Sequence, residues 1–176
     1  MYKRQPYYTR HDYTHLIRGE VKAFLKAYYN QFTALQDRET YTFWEHYFHA
    51  SPHKTHEEGW FLMQTRWMLW LEEGKNLAFL KMAPRRWFEQ GKSIELENVA
   101  TYFGPASLSV QSNLGEGTIT ASVTCRAARK PRTVTIRLPH PDGRKAVAAV
   151  GGRYDPESET VRIAAFKGTA KVELRF

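Results

Sequence analysis

The sequence predicts an α+β protein in which N-terminal helices precede an antiparallel β-sandwich. Apolar residues recur at helical spacing through residues 1–90. From residue 93 onward, short β-rich runs alternate with turn residues. The change of pattern falls at 74–92, and this stretch has no flexible linker composition. The two parts therefore follow each other directly along the chain.

Two helices are predicted in the first part. The segment "LIRGEVKAFLKAYYNQFTALQ" places one set of apolar residues at helical spacing: Val21, Phe24, Leu25, Tyr28, Phe32 and Leu35. The segment "THEE" has the form of a capping box, in which Thr55 caps the first amides and Glu58 completes the box. We expect the second helix to run over 57–73 and to end at Gly74, a typical C-terminal residue.

The second predicted helix is apolar on nearly every side. Its apolar residues are Trp60, Phe61, Leu62, Met63, Trp67, Met68, Leu69, Trp70 and Leu71. A helix with so little polar surface has to be covered on most sides, and one neighbouring helix does not suffice. We therefore expect that further helices, not present in this chain, pack around it.

The second part is predicted to be all β after a short connection. The segment "NLAFLKM" has the composition of a strand, and "PRRWFEQGK" that of a short helical turn between Pro84 and Gly91. Seven β-rich runs follow: "SIELENV", "TYFGPASLSVQSN", "GTITASVTC", "RTVTIRLP", "KAVAAVGG", "TVRIAAF" and "AKVELRF". Strands at this spacing, separated by turns such as "HPDG" and "YDPESE", are typical of an antiparallel sandwich.

Composition and charge narrow the classes of partner. The 176 residues are 42% hydrophobic, which is ample for a packed core. The most apolar run is interrupted by polar residues at 64–66, so no membrane partner is expected. The net charge of +8 would suit nucleic acid, but the basic residues are scattered and the densest group, 126–132, lies between two strands. We predict no nucleic-acid partner; a basic nucleic-acid-binding module is the third hypothesis, which requires retention on a polyanion with steep salt dependence.

Cysteine and histidine give no strong sign of metal or thiol chemistry. The single cysteine, Cys125, rules out an internal disulfide and is expected to be a small buried strand residue. His11 and His15 are spaced i,i+4, but before the first predicted helix. Four of the seven histidines crowd one segment at positions 46, 49, 53 and 56, without a zinc motif. We predict no metal and no cofactor, and histidines that line a polar pocket.

The segment "RETYTFWEHYFHASPHKTHEEGW" is the candidate binding site. It is long, irregular, aromatic and polar, and binding residues often lie on such loops. Its aromatic residues Tyr41, Phe43, Trp44 and Tyr47 would suit the apolar face of a sugar ring, although each one taken alone could simply belong to the core. Glu45 lies among them, and a carboxylate there needs a partner or a function. Glu57 and Glu58 are interpreted as helix-start residues.

Residues 41–112 carry a resemblance to a known family. The order is Trp44-Glu45, then the loop "SPHK" with Ser51 and His53, then the apolar helix 57–73, then "APRRWFEQGKSIEL". This order resembles the C-terminal part of six-hairpin, (α/α)6-barrel glycosidases, and among them the α-L-rhamnosidase-like group. The resemblance covers most of residues 16–176, and "SPHK" departs from the usual loop wording.

The resemblance implies a fold and a mechanism. The helices would be the tail end of an (α/α)6 barrel, and the chain would be the C-terminal part of a glycoside hydrolase acting on a polysaccharide or oligosaccharide. Hydrolysis in the family is generally inverting, with an acid and a base about 6.5–9.5 Å apart. Glu45 resembles the general base, and the substrate-binding residues would be Trp44, Tyr41, Tyr47 and His53. The general acid would lie upstream, so the isolated chain is expected to be inactive.

The resemblance also suggests how the chain is organised. Residues 1–5, "MYKRQ", match one reading frame of a transposase adapter end and are interpreted as non-native sequence; a genuine basic N-terminal arm is the alternative. Residues 6–75 would be the last barrel helices, 76–92 a bridging strand and short helix, and 93–176 the sandwich. The expected partners are a carbohydrate substrate and a missing N-terminal part of the same chain.

The residues of this chain predict no particular cellular compartment. Secretion or a periplasmic location would follow if the missing part carried an export signal. An alternative function belongs to another class, a non-catalytic carbohydrate-binding or structural accessory module. A parent protein without a carboxylate opposite Glu45 would favour this alternative.

Overall fold

The computed structural model describes residues 11–45, 51 and 53–176, and for His11 it describes the backbone alone. The chain forms two compact units. The first ends at Met68 and contains the helices, and the second, Leu69–Phe176, contains the sheets. The predicted α+β class, with helices before a β-sandwich-like part, is confirmed. The segment 76–92, expected to bridge the two parts, belongs to the second unit.

Among its described residues, the first unit has three helices where two were predicted. These are α1 His11–Arg18, α2 Val21–Leu35 and α3 Thr55–Leu69. Gly19 separates α1 from α2 with φ +72°, a left-handed conformation that glycine adopts without a steric penalty. His11 and His15, expected before any helix, therefore lie on α1. None of the helices among the described residues is both long and apolar enough to span a bilayer.

The core of the first unit is aromatic. α2 buries Phe24, Tyr28, Gln31 and Leu35, which recur every three to four residues along one face. The Phe61 ring of α3 lies 5.5 Å from the Tyr28 ring and 5.2 Å from the Phe32 ring. Apolar burial thus joins α2 and α3, as the helical spacing of both segments predicts.

The end of α3 differs from the prediction. The helix ends at Leu69, and Trp70–Glu73 forms β1, which pairs antiparallel with β2, Asn76–Phe79. Gly74, expected to end the helix, lies in the two-residue turn between these strands with φ +63°. The apolar run continues the helical pattern past Leu69, but hydrogen bonding to the neighbouring strand overrides helix propensity there.

The second unit has ten strands in two five-stranded sheets. After β1 and β2 come β3 Ser93–Val99, β4 Ala106–Asn113, β5 Thr118–Thr124, β6 Thr133–Arg137, β7 Ala148–Val150, β8 Arg153–Asp155, β9 Thr160–Ala164 and β10 Thr169–Arg175. The strand orders are β1-β2-β6-β9-β8 and β3-β4-β5-β10-β7. Short 3-10 helices lie at Arg85–Phe88, as the Pro84 pattern predicts, and at Leu114–Glu116.

Two details of the sheets differ from the prediction. β8 lies where the "YDPESE" turn was expected, because Tyr154 pairs with Val161 of β9 before the chain turns. The sandwich is also not wholly antiparallel, since β2 runs parallel to β6. This second difference has a reason in the chain connectivity. β2 forms a hairpin with β1 far upstream of β6, and the pairing of strands so far apart in the sequence could not be inferred from the local pattern.

The core of the second unit lies between the two sheets. Every second residue of β4 and β5 is buried, and the intervening residues are partly exposed. These side chains form one apolar cluster with those of β2, β6 and β9 from the other sheet. Cys125, directly after β5, is fully buried, as predicted, and burial raises the pKa of its thiol. This makes the cysteine a packing residue.

Candidate functional site

The candidate loop begins directly after α2 with a small, well-bonded hairpin. Gln36 and Phe43 form an antiparallel bridge, and the Trp44 N–H donates to the Leu35 carbonyl at 2.8 Å. Inside this hairpin the Asp37 N–H donates to Thr42 O at 2.9 Å. The backbone thus fixes residues 36–44 against the end of α2. Side chains of this segment are presented from a defined frame rather than from a free coil.

Asp37 stabilises the tip of the hairpin. Its Oδ1 accepts the N–H groups of Glu39 at 2.9 Å and Thr40 at 3.2 Å, a typical Asx-turn arrangement. These backbone hydrogen bonds hold the pKa of the Asp37 carboxyl below its ordinary value, and the charge of nearby His53 lowers it further. Asp37 therefore shapes the loop, and His53 lies within electrostatic range of its carboxylate.

Glu45 is held in an ion pair at the end of this hairpin. Its Oε2 lies 3.0 Å from Nζ of Lys54, and its side chain is 26% exposed. Two backbone bonds fix the pair, because the Glu45 N–H donates to Ser51 O at 3.0 Å and the Lys54 N–H donates to Phe43 O at 3.1 Å. A nearby cation favours the charged form of a carboxylate. Glu45 is thus a partly solvated carboxylate with a fixed backbone and a cationic neighbour.

Tyr41 and His53 both have left-handed backbones. Each has φ +57°, which is uncommon for residues other than glycine. Tyr41 is 78% exposed, and His53 is also exposed. Such conformations cost free energy, and they are retained where the surrounding structure fixes them, often at binding sites. Both residues were predicted from sequence to contact substrate, and the structure places both at the surface of the loop.

The other predicted aromatic residues fall into different environments. Trp44 is partly buried beside Glu45 in sequence. Phe43 is 5% exposed, and its ring lies 5.0 Å from that of Phe61, so it belongs to the core and not to a sugar-binding surface. Tyr47 lies outside the described residues. The structure therefore leaves Tyr41 and Trp44 as the aromatic candidates that it can place.

A buried polar chain inside the first unit was missed by the sequence analysis. Gln64 of α3 donates to Oε1 of Gln31 on α2 at 2.9 Å, and Gln31 donates to Oε2 of Glu57 at 3.4 Å. All three side chains are buried, as is Asp12 of α1. Glu57 lies in the first turn of α3, as its interpretation as a helix-start residue requires. Its side chain is fully buried, with Nε2 of His56 at 3.3 Å from its Oε1.

Asp12 is the most unusual member of this buried group. Both of its carboxylate oxygens are buried without a hydrogen bond of good geometry to any described residue. Burial raises the pKa of the Asp12 carboxyl, and the amide of Gln64 and the backbone of Tyr13 offset only part of this effect. Only one weak sign of this buried polar group is visible in the sequence. Glu57 and Gln64 are seven residues apart, so they share a face of α3 with the buried residues Trp67 and Met68.

The histidines of the described region do not form a metal centre. Among residues 11–45, 51 and 53–176, no three His, Cys, Asp or Glu side chains are grouped so that they could hold a metal ion. His15 pairs instead with Glu20, with Nδ1 to Oε2 at 2.5 Å. His46 and His49 lie outside the described residues.

Comparison with known proteins adds no relative to this picture. No protein-family model, curated protein or solved structure matches the chain. The functional interpretation therefore rests on the geometry of residues 36–45, 51, 53 and 54 and on the physical properties of their side chains.

Proposed function

We propose that this chain is the C-terminal part of a glycoside hydrolase, in which Glu45 is the general base. The observation that carries the proposal is the Glu45–Lys54 pair, 3.0 Å apart at the end of a hairpin that presents an exposed aromatic ring. The resemblance of the Trp44-Glu45 element to six-hairpin glycosidases supports the same assignment. The acid partner would come from an upstream part of the parent protein.

The chemistry of Glu45 suits a base better than an acid. A base that activates water has to be ionised and reachable by solvent at the working pH. Lys54 favours the ionised form of the carboxylate, and the 26% exposure of the Glu45 side chain gives water access to it. An inverting enzyme places the acid about 6.5–9.5 Å from the base, which leaves room for the attacking water.

The surrounding side chains supply groups that sugars need. The Tyr41 ring is largely exposed and can cover the apolar face of a pyranose. His53 and the Lys54 ammonium present hydrogen-bonding groups for sugar hydroxyls on the adjoining segment. Trp44 would pack beside the sugar whose glycosidic bond is hydrolysed with Glu45 as the base. This division between aromatic faces and polar groups is typical of carbohydrate sites.

The surface of the helical unit supports a larger helical parent. Ile17 of α1 is 54% exposed, and Leu62 and Met63 of α3 are 67% and 38% exposed, while polar Glu57 and Gln64 of the same helix are buried. Large apolar side chains at the surface of a helix are typical of faces that pack against another element. Additional barrel helices that pack against these side chains would bury them.

The test is a Glu45→Gln substitution in the parent protein. The reading frame upstream of the codon for Pro6 is first determined by long-read sequencing of the source DNA, and the extended chain is assayed on aryl glycosides and plant oligosaccharides. Glu45→Gln should lower kcat by about 10²–10⁴-fold while the fold is retained. Glu58→Gln, a matched change on the first turn of α3, should leave kcat unchanged. Near-normal turnover by Glu45→Gln would refute the base assignment.

A non-catalytic carbohydrate-binding module is the second candidate. The exposure of Tyr41 favours it, because ring stacking requires no acid–base pair. In this case Tyr41→Ala should abolish oligosaccharide binding at the loop that presents Tyr41, whereas Glu45→Gln should preserve it. Release of reducing sugar by the extended protein distinguishes the two candidates, because a hydrolase produces it and a binding module does not.

A further inference from the structure

The outer face of the sandwich contains a groove in the second unit, remote in sequence from the 36–54 loop. It has a volume of about 430 Å³. It runs across the middle strands of the β3-β4-β5-β10-β7 sheet, on the side away from the apolar core. Its polar lining residues are Ser109, Gln111, Thr120, Ser122, Lys171 and Glu173. The first four of these side chains carry no charge, and three of them are short, so they form a flat and uncharged floor.

The strand register places these side chains in two adjacent rows. In one row Ser109 pairs with Ser122, which pairs with Lys171. In the next row Gln111 pairs with Thr120, which pairs with Glu173. Directly opposed side chains on neighbouring strands have Cβ atoms about 4.5–5.5 Å apart. The groove therefore offers a regular grid of hydroxyl and amide groups.

The polar groups in the floor are available to a ligand. The side chains of Gln111, Thr120 and Ser122 are partly buried and make no hydrogen bond to another described residue. Ser109 donates to Oε1 of Glu95 at 2.6 Å and keeps its lone pairs as acceptors. A hydroxyl both donates and accepts, and a primary amide has two donors and an acceptor. Such groups match a ligand that itself carries many hydroxyls.

β7 forms one wall of the groove. The Val150 side chain is 58% exposed there and supplies an apolar flank. The wall is held close because Gly151, with φ +83°, approaches the Lys171 carbonyl so tightly that an added Cβ would lie 1.9 Å from it. The groove thus combines a polar floor with one apolar edge on a rigid sheet.

We propose that this groove binds a neutral oligosaccharide. The lining contains one cation, Lys171, and one carboxylate, Glu173. Arg175, paired with Glu173 at 2.7 Å, and Glu95, which accepts a hydrogen bond from Ser109, add one charge of each sign, so neither a polyanion nor a polycation is favoured. Six of the nine lining residues are polar or charged, and the three apolar ones, Ala121, Val150 and Val172, are small or medium in size, which suits a polar ligand better than a lipid. Hydroxyl groups beside a small apolar edge complement the equatorial hydroxyls and C–H face of a sugar chain.

The groove site deepens the proposed function and rests on it for the class of ligand. It would hold a further part of the glycan, or a second glycan chain, while the loop that carries Glu45 contacts the reacting sugar. The two sites lie in different units and share no residue, so each is tested by substitutions of its own residues.

The test is amide NMR of the isotope-labelled chain titrated with cellopentaose, xylopentaose and mannopentaose at up to about 10 mM. At least one of them should shift the amides of β4, β5 and β10 around Ser122. Ser122→Trp, which fills the groove, should abolish these shifts, and Thr120→Val should weaken binding about 2- to 10-fold by removing one hydroxyl. Thr118→Trp is the matched control, on the same face of β5 but outside the groove lining.

The outcomes separate the two proposals. Shifts in the sheet that survive Tyr41→Ala and vanish in Ser122→Trp establish the groove site. Shifts confined to residues 36–54 overturn the groove site and support the proposed function alone. If no pentasaccharide shifts the sheet, or if Ser122→Trp binds as the unaltered chain does, the groove proposal is wrong.

Discussion

Glu159 and Arg137 form a buried ion pair that ties three segments of the sandwich together. Oε2 of Glu159 accepts a hydrogen bond from Nη2 of Arg137 at 2.9 Å, and both side chains are about 5–6% exposed. Oε1 of Glu159 accepts from Nη2 of Arg85 at 2.5 Å. Nη1 of Arg137 donates to the Ala83 carbonyl at 2.8 Å. The carboxylate therefore links β6, the start of β9 and the 3-10 helix after β2.

Glu159→Gln should strongly destabilise the second unit. The substitution keeps the shape of the side chain but leaves the Arg137 guanidinium buried without its counter-charge. Loss of one member of a buried ion pair typically costs about 3–5 kcal/mol of unfolding free energy. The measurement is urea unfolding followed through NMR signals of β6 and β9. Glu157→Gln, on an exposed neighbour, should change stability by less than about 0.5 kcal/mol, and equal effects of the two would contradict the prediction.

Asp12 should make the helical unit less stable as the pH rises. Burial raises the pKa of its carboxyl above the ordinary 3.8, so the folded unit binds this proton at a higher pH than the unfolded chain does. The penalty is absent at pH below 3.8 and is complete once the pH has risen past the raised pKa. Asp12→Asn should stabilise the unit at pH 7 by about 1–3 kcal/mol, and the gain should shrink near pH 4.

Asp37 is the control with the opposite sign. Its pKa is lowered by the backbone N–H groups of Glu39 and Thr40, so its stabilisation is present above pH 3.8 and is lost as the pH falls. Asp37→Asn should therefore destabilise the unit at pH 7. The measurement for both variants is urea unfolding at pH 4 and pH 7, followed through NMR signals of α2 and α3. A gain for Asp12→Asn that is independent of pH would show that the carboxylate is not responsible.

The local sequence pattern correctly predicted those strands and helices whose limits and buried residues can be inferred from their own residues alone. The alternation in "SIELENV" gave β3 with its observed limits, and the Pro84 and Gly91 signals gave the 3-10 helix between them. The stretch Trp70–Glu73 was predicted incorrectly because its apolar residues fit a helix equally well. Only its pairing with β2 makes it a strand, and pairing between segments is not encoded in the local period.

The candidate site was predictable in part for a similar reason. The aromatic and charged composition of residues 41–54 pointed to the loop, but the left-handed backbones of Tyr41 and His53 are fixed by neighbouring hydrogen bonds. The buried position of Glu57 could not be inferred, since its partner Gln31 lies 26 residues away on another helix. Acidic residues in the first turn of a helix are normally solvated, and sequence alone favours that interpretation.

Gly151→Ala should disrupt the wall of the groove far more than a matched change elsewhere. Gly151 has φ +83°, and an added Cβ would lie 1.9 Å from the Lys171 carbonyl oxygen, a backbone atom that cannot rotate away. Gly143→Ala is the control, because Gly143 has φ +77° but no atom within 4 Å of the added Cβ. The control should therefore cost only the conformational penalty of a left-handed alanine, about 1–2 kcal/mol.

Gly151→Ala should exceed this cost clearly and should separate β7 from β10. The measurement is urea unfolding of both variants together with hydrogen exchange of the β7 and β10 amides. Faster exchange confined to the β7–β10 pairing in Gly151→Ala, and absent in Gly143→Ala, is the expected result. If the two substitutions cost the same, the close approach of Gly151 to Lys171 does not hold the wall, and a flexible β7 would have to be invoked instead.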